Sequence, residues 1–183
     1  GPLTIMDELS IDLAVGAAAN KAREYDDFVP SITVATLQKL FDLKRMGKKV
    51  GKGFYDWTPE GKSLWTGLQE LFPAKPAAAQ PPVQDVKNRI LYAQALNAAG
   101  SMERGTLTSP ADGDIGSILG VGFPAYLGGP FCMMDEIGLP NFVQEADRLA
   151  GLYGEHLRPN ALLREMAAKG ETFYGKNARK IAA

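Results

Sequence analysis

The sequence predicts an all-α protein, and three observations carry that prediction. Apolar residues recur at helical spacing along most of the 183 residues. No segment sustains an alternation of period two. Proline and glycine stand where helices should start and stop. Composition agrees: 45% hydrophobic and 22% charged residues describe an ordinary soluble globular chain, long enough for one good core or two small ones. The net charge of −1 offers no basic field for nucleic acid or an anionic membrane. No apolar run approaches the ~20 residues of a membrane span, and no signal peptide is read at the start. The single cysteine, Cys132, cannot form an internal disulfide. It reads as a small buried hydrophobe in a reducing compartment.

The elements follow in order. Ile5, Met6, Leu9, Leu13 and Val15 fall at helical spacing, and Ala17 to Ala19 with Ala22 extend a small-residue helix. Pro30-Ser31 starts a second helix with Val34, Leu37, Leu40 and Phe41 as its stripe and Lys44-Arg45 placed for the dipole in the last turn. Residues 47–57 form a glycine-rich loop ending in Phe54-Tyr55 and Trp57, and 59–72 read as one more short helix. Residues 73–82, PAKPAAAQPP, hold four prolines and little to bury, which makes them the linker. Residues 83–104 then read as a long helix with Val86, Ile90, Ala93 and Leu96 or Asn97 on one face. Pro140 opens a helix to about Tyr153, and Pro159 opens another that Gly170 ends.

The densest stretch is Ser109 to Leu139, SPADGDIGSILGVGFPAYLGGPFCMMDEIGL. Ser109 caps a helix with Pro110 at its first position and Asp112 near the positive end. Ile115, Ile118 and Leu119 give it an apolar face. Gly120, Gly122, Pro124, Gly128 and Gly129 punctuate a loop. Pro130 restarts a helix carrying Met133, Met134 and Ile137, and Gly138 can end it.

An internal repeat organises the chain. GPLTIMDELSIDLAV at the start aligns without gaps on GPFCMMDEIGLPNFV from Gly129. The first copy runs on to Gly53-Phe54-Tyr55 and the second to Thr172-Phe173-Tyr174. The first copy lacks the long helix and the SPADGDIG stretch, so it enters mid-domain. The chain is accordingly expected to be a piece of a longer polypeptide, divided as 1–72, the linker 73–82, 83–175 and a tail 176–183.

These motifs have a known counterpart. The SPADGDIGSILGVGFPAYLGGP run and the later Asp-Glu-Ile-Gly-Leu resemble the second C-terminal domain of 3-hydroxyacyl-CoA dehydrogenases, most like the alpha subunit of the multifunctional fatty acid oxidation complex. GKKVGKGFYDW, from Gly47, resembles the glycine-rich close of such a domain. The resemblance implies tandem all-α domains of the 6-phosphogluconate dehydrogenase C-terminal-like type, the first copy truncated, packed on each other about a pseudo-two-fold. It implies a cytoplasmic, NAD-dependent enzyme of fatty acid β-oxidation, with an upstream Rossmann domain, an acyl-CoA substrate and a thiolase subunit as partners. The chemistry would lie elsewhere, because the family's histidine base, its orienting glutamate and the NAD-binding turn find no match here. No catalytic residue, metal or cofactor is therefore assigned to this chain. Rival readings are a non-enzymatic helical association module and a tandem-copy 3-hydroxybutyryl-CoA or aromatic-degradation dehydrogenase.

The candidate site residues are few. Asn88-Arg89 resembles the Asn-Arg opening each domain of the family, which makes Asn88 a candidate for substrate contact or for bonding between helices. The family often has glutamate where Asn97 stands. Lys48, Lys49 and Lys52 could attract the phosphates of CoA, with Lys48 and Lys52 as the candidates; the loop's glycines instead let Phe54 and Tyr55 anchor in the core. Gly51/Gly53 and Gly120/Gly122 read as turns, since neither follows a strand of a βαβ unit. His156, the only histidine, sits between helices without a partner, and no metal-ligand spacing occurs. Asp7-Glu8 and Asp135-Glu136 read as compensation of a helix dipole.

Overall fold

A computed structural model describes residues 1–25 and 32–179. The expected helix start at Pro30-Ser31 lies outside the described residues. The chain divides into two compact units, Gly1–Ala78 and Ala79–Ala183.

Unit 1 holds α1 (Pro2–Leu9), α2 (Ile11–Glu24), α3 (Ile32–Asp42), β1 (Tyr55–Thr58), β2 (Gly61–Leu64) and α4 (Leu68–Leu71). The single helix expected from residue 5 onward is two helices. Ser10 breaks it with φ 84° and ψ 122°, a left-handed conformation that a serine adopts only under constraint. The constraint is visible: the Ser10 hydroxyl and the Ile11 amide both donate to the Met46 carbonyl, at 3.2 and 3.1 Å. The helix expected over 59–72 also gives way. Thr58 pairs with Gly61 across Pro59-Glu60, and an antiparallel hairpin runs from Tyr55↔Leu64 to this turn. Proline starts the turn and Gly61 takes φ 148°, leaving only Leu68–Leu71 helical. The core is Ile11, Leu37, Leu40 and Phe54, with Met6, Trp65 and others packed against it.

Unit 2 holds α5 (Val83–Glu103), α6 (Pro110–Val121), α7 (Pro130–Ile137), α8 (Leu139–Tyr153) and α9 (Ala161–Lys169). The caps at Ser109 and Gly170 are those the sequence predicts, while α9 begins past Pro159 with Asn160 as its cap and Gly122 ends α6. Ser109 accepts the Asp112 amide, Asn160 accepts the Leu163 amide, and Gly122 and Gly170 end their helices left-handed. Phe131, Met134, Phe142, Leu149, Leu163 and Met166 are fully buried, and Tyr92 stacks on Phe142 at 4.2 Å between centroids.

Two apolar faces depart from expectation. On α5, Val86 and Ile90 are exposed; Leu96 is buried as expected and Ala93 packs on the core, but the rest of the buried face is Tyr92, Ala95, Ala99 and Met102. On α6, Ile115 and Leu119 are exposed, while the buried residues are Gly113 and Asp114. Gly113 is required there because a Cβ would strike Phe131 and Leu107. Close approach of Phe131 and Leu107 to Gly113, with Ile118 alone of the expected stripe packed on the core, seats this helix. Gly120 lies within α6 and not in the loop that follows it.

Candidate functional site

In unit 1 the glycine-rich loop is organised by a carboxylate. Asp7, on α1, is buried and accepts the amides of Phe54 at 2.8 Å and Tyr55 at 3.0 Å, and the Trp57 indole N–H at 2.9 Å. Gly53 is obligatory because a Cβ would collide with the Asp7 carboxylate. Asp7 therefore does not compensate a dipole, as its sequence position suggests. It is a charge-assisted anchor for the loop. Arg45 closes the other side. It is buried, donates to the Gly53 carbonyl at 2.7 Å and the Asp56 carboxylate at 2.6 Å, and lies over the Trp65 ring at 4.0 Å. Its sequence position suggests a helix end for Arg45; α3 stops at Asp42, and the arginine holds the loop instead.

Unit 2 repeats the device. Asp135, on α7 at the position matching Asp7, accepts the Phe173 amide at 3.0 Å and the Tyr174 amide at 2.9 Å. Here too the dipole reading is replaced by a loop anchor. Burial pushes the Asp135 carboxyl above its usual range, against the pull of the two amides. A second aspartate is added. Asp114 of α6 accepts the Phe131 amide at 2.7 Å, the Cys132 amide at 3.2 Å and the Tyr174 hydroxyl at 2.7 Å. It binds the amino end of α7 to the closing loop. Burial and then Asp114 push both the Tyr174 hydroxyl and the Cys132 thiol up, so Cys132 stays a thiol and is half-buried beside this carboxylate.

The candidates from sequence are scattered. Asn88 lies on α5, where its amide donates to Glu145 at 3.1 Å and its oxygen accepts Gln84 at 2.7 Å. Its neighbours form a network between α5 and α8: Arg148 spans Asp85 at 2.6 Å and Glu145 at 2.7 Å, and Tyr153 donates to Asp85 at 2.7 Å. The Arg148 bonds hold both carboxyls below their usual range. Asn88 also borders a cavity of about 880 Å³ with Tyr126, Cys132, Asp135 and Tyr174. Lys48 pairs with Glu8 at 3.4 Å and Lys49 with Asp12 at 2.5 Å. Lys52 is exposed and makes no ion pair among the described residues. Lys48 and Lys52 are thus in unit 1 and Asn88 is in unit 2. His156 is exposed in a turn between α8 and α9.

Neither Gly-x-Gly pair fits a dinucleotide-binding turn. Gly51 and Gly53 shape a loop that leads into an antiparallel hairpin, while Gly120 and Gly122 end α6. Among the described residues no cluster of three metal-ligating side chains occurs. No described helix is long and apolar enough to cross a membrane. What the arrangement supplies is shape and anchoring.

Residues 1–57, the stretch held by Asp7, match the family model described as 3-hydroxyacyl-CoA dehydrogenase, C-terminal domain. Over those residues the chain is similar to that domain. It is 37% identical, over 95% of its length, to the fatty acid oxidation complex subunit alpha of Shewanella amazonensis. It is 36% identical, again over 95%, to the subunit of that name from Idiomarina loihiensis. It spans about a quarter of the length of each. Among solved structures it matches 3-hydroxybutyryl-CoA dehydrogenase from Escherichia coli with a TM-score of 0.58 and 20% identity, over 93% of this chain and 51% of that one. The helical dehydrogenase C-terminal fold read from the motifs is thus the fold of this chain.

Proposed function

We propose that this chain is the C-terminal region of an NAD-dependent 3-hydroxyacyl-CoA dehydrogenase of fatty acid β-oxidation. In this reading it completes the substrate side of a cleft and carries the packing between subunits or between its own two units about a pseudo-two-fold. The observation that carries the reading is similarity along 95% of the chain to fatty acid oxidation complex alpha subunits, of which it spans a quarter. The base and the dinucleotide turn then belong to an upstream domain of the same polypeptide. The partners are that domain, the acyl-CoA and a thiolase subunit, in the cytoplasm. Asn88 is the proposed polar contact for substrate in unit 2. Lys48 and Lys52 are the proposed contacts for CoA phosphates; Lys52 makes no ion pair among the described residues, whereas Lys48 is held by Glu8.

The test is NADH formation from a 3-hydroxyacyl-CoA and NAD. The chain alone is expected to form none, and the longest natural polypeptide containing it is expected to form NADH. Turnover by the chain alone would overturn the reading, as would a long polypeptide inert toward every 3-hydroxyacyl-CoA.

A further inference from the structure

The repeat pairs Glu8 of unit 1 with Glu136 of unit 2, and the two carboxylates differ in company. Lys48 of the glycine-rich loop bonds Glu8 at 3.4 Å, and its Nζ stands 5.0 Å from the centre of the Trp57 ring. There the chain itself brings a cation to a carboxylate and an aromatic face. Unit 2 has no such loop. Gly170 ends α9, and Glu171 and Thr172 lead straight into Phe173. Glu136 is exposed and makes no ion pair among the described residues.

Glu136 instead lines the cavity of about 880 Å³ that Asn88 borders. That volume is in the range of small-molecule sites. Much of its wall is apolar, with Leu91 from α5, Met133 and Ile137 from α7, and Leu127 from the loop before α7. None of the described residues lining it is a lysine, an arginine or a histidine, whereas Asp135 and Glu136 both line it. Asp135 is spent on the Phe173 and Tyr174 amides. The Glu136 carboxylate is left for a partner from outside. Tyr126 also lines the cavity, is 86% exposed and meets no cation among the described residues.

We infer that the cavity of unit 2 is a binding site for an organic ammonium ion, a cation carried on an apolar body. The body lies against Leu91, Leu127, Met133 and Ile137. The cation takes the Glu136 carboxylate and the Tyr126 face, as Lys48 takes Glu8 and Trp57. Apolar surface removed from water supplies most of the affinity, and the carboxylate selects the charge. An anionic head group would meet two carboxylates and no cation. The inference rests on the cavity and the repeat, not on the dehydrogenase reading or on the contact proposed for Asn88, so each can fail alone.

The probes are n-octylammonium, octanol and octanoate, which share one chain length and differ in charge. Each is titrated into the whole chain by calorimetry, with amide chemical shifts locating the site. The ammonium is expected to bind once, about fivefold more tightly than the alcohol, and octanoate more weakly than either. The shifts should centre on Leu91, Met133 and Ile137. Glu136 is exposed, so its variants keep the fold. Glu136→Gln should bring the ammonium down to the level of the alcohol, and Glu136→Lys should turn the preference to octanoate. Glu8→Gln should change neither. Equal binding of the three probes would overturn the inference. So would a cation preference that survives Glu136→Gln, or shifts centred in unit 1.

Discussion

Asp7 and Asp135 occupy the same position in two copies of one repeat, and each accepts the backbone amides of a Phe-Tyr pair more than thirty residues downstream. Each copy thus ties its first helix to its closing loop through one carboxylate. In unit 1 the tie also takes the Trp57 indole. In unit 2 the Tyr174 hydroxyl passes to a second aspartate, Asp114. The same polar device fixes both loops, with different aromatic neighbours.

Removing the carboxylate should expose its cost. Asp7→Ala leaves two backbone amides and an indole without their acceptor. A loss of about 2–4 kcal/mol of stability is expected in urea unfolding. Asp7→Asn keeps the shape and one acceptor oxygen, so it should lose less than the alanine variant. Equal losses would mean that shape, not the charged acceptor, holds the loop.

The glycines that face these carboxylates should be intolerant of alanine. Gly53→Ala and Gly129→Ala would each drive a Cβ into an aspartate side chain, and each is expected to destabilise by more than about 2 kcal/mol. Gly16→Ala, on the exposed face of α2 with open space around it, should stabilise by about 0.5–1 kcal/mol. Thermal melts of the three variants check the contrast.

Much of this was legible beforehand. The caps at Ser109 and Gly170 and the start at Pro130 act through short-range backbone chemistry, which the sequence carries openly. The repeat alignment also pairs Ser10 with Gly138, whose φ of 83° matches the 84° of Ser10. The break in the first helix was therefore visible in the second copy, hidden only because serine replaces glycine. What was not legible depends on contacts distant in sequence. Asp7 sits at an ordinary helical position, and nothing local says that residues 54–57 return to it. Arg45 looks like any basic residue near a helix end until Trp65 and Asp56 come to it. The exposed Val86, Ile90 and Leu119 misled because an apolar stripe records a buried face without naming what buries it. Asn88 showed its identity in the motif, but its bonds to Glu145 and Gln84 needed α8 in place.

Arg45 should prove as important to unit 1 as any core residue. Arg45→Met keeps the stem over Trp65 but loses the bonds to Gly53 and Asp56. A loss of about 2–3 kcal/mol is expected, accompanied by a change in tryptophan fluorescence from Trp65. An unchanged spectrum and stability would remove the strut role.

Acid should weaken the fold. Asp85 and Glu145 are held below their usual range by Arg148, Asp147 by Arg164, and Asp12 by Lys49. Carboxyls lowered in the folded state bind fewer protons there than when unfolded. Their stabilisation is present above the ordinary carboxylate pKa and is lost as pH falls through it. Asp135, raised by burial, runs the other way and offsets a part. The melting temperature should therefore fall from about pH 5 to pH 3. Arg148→Met should flatten the slope, and a slope unchanged by that variant would contradict the assignment.

The paired anchors are tested most directly by amide hydrogen exchange at Phe54, Tyr55, Phe173 and Tyr174. In the unaltered chain all four should be protected. Asp7→Asn should speed exchange at Phe54 and Tyr55 and leave the other two unchanged, and Asp135→Asn should do the reverse. Exchange that rises at all four amides in either variant, or at none, would contradict two units each closed by its own aspartate.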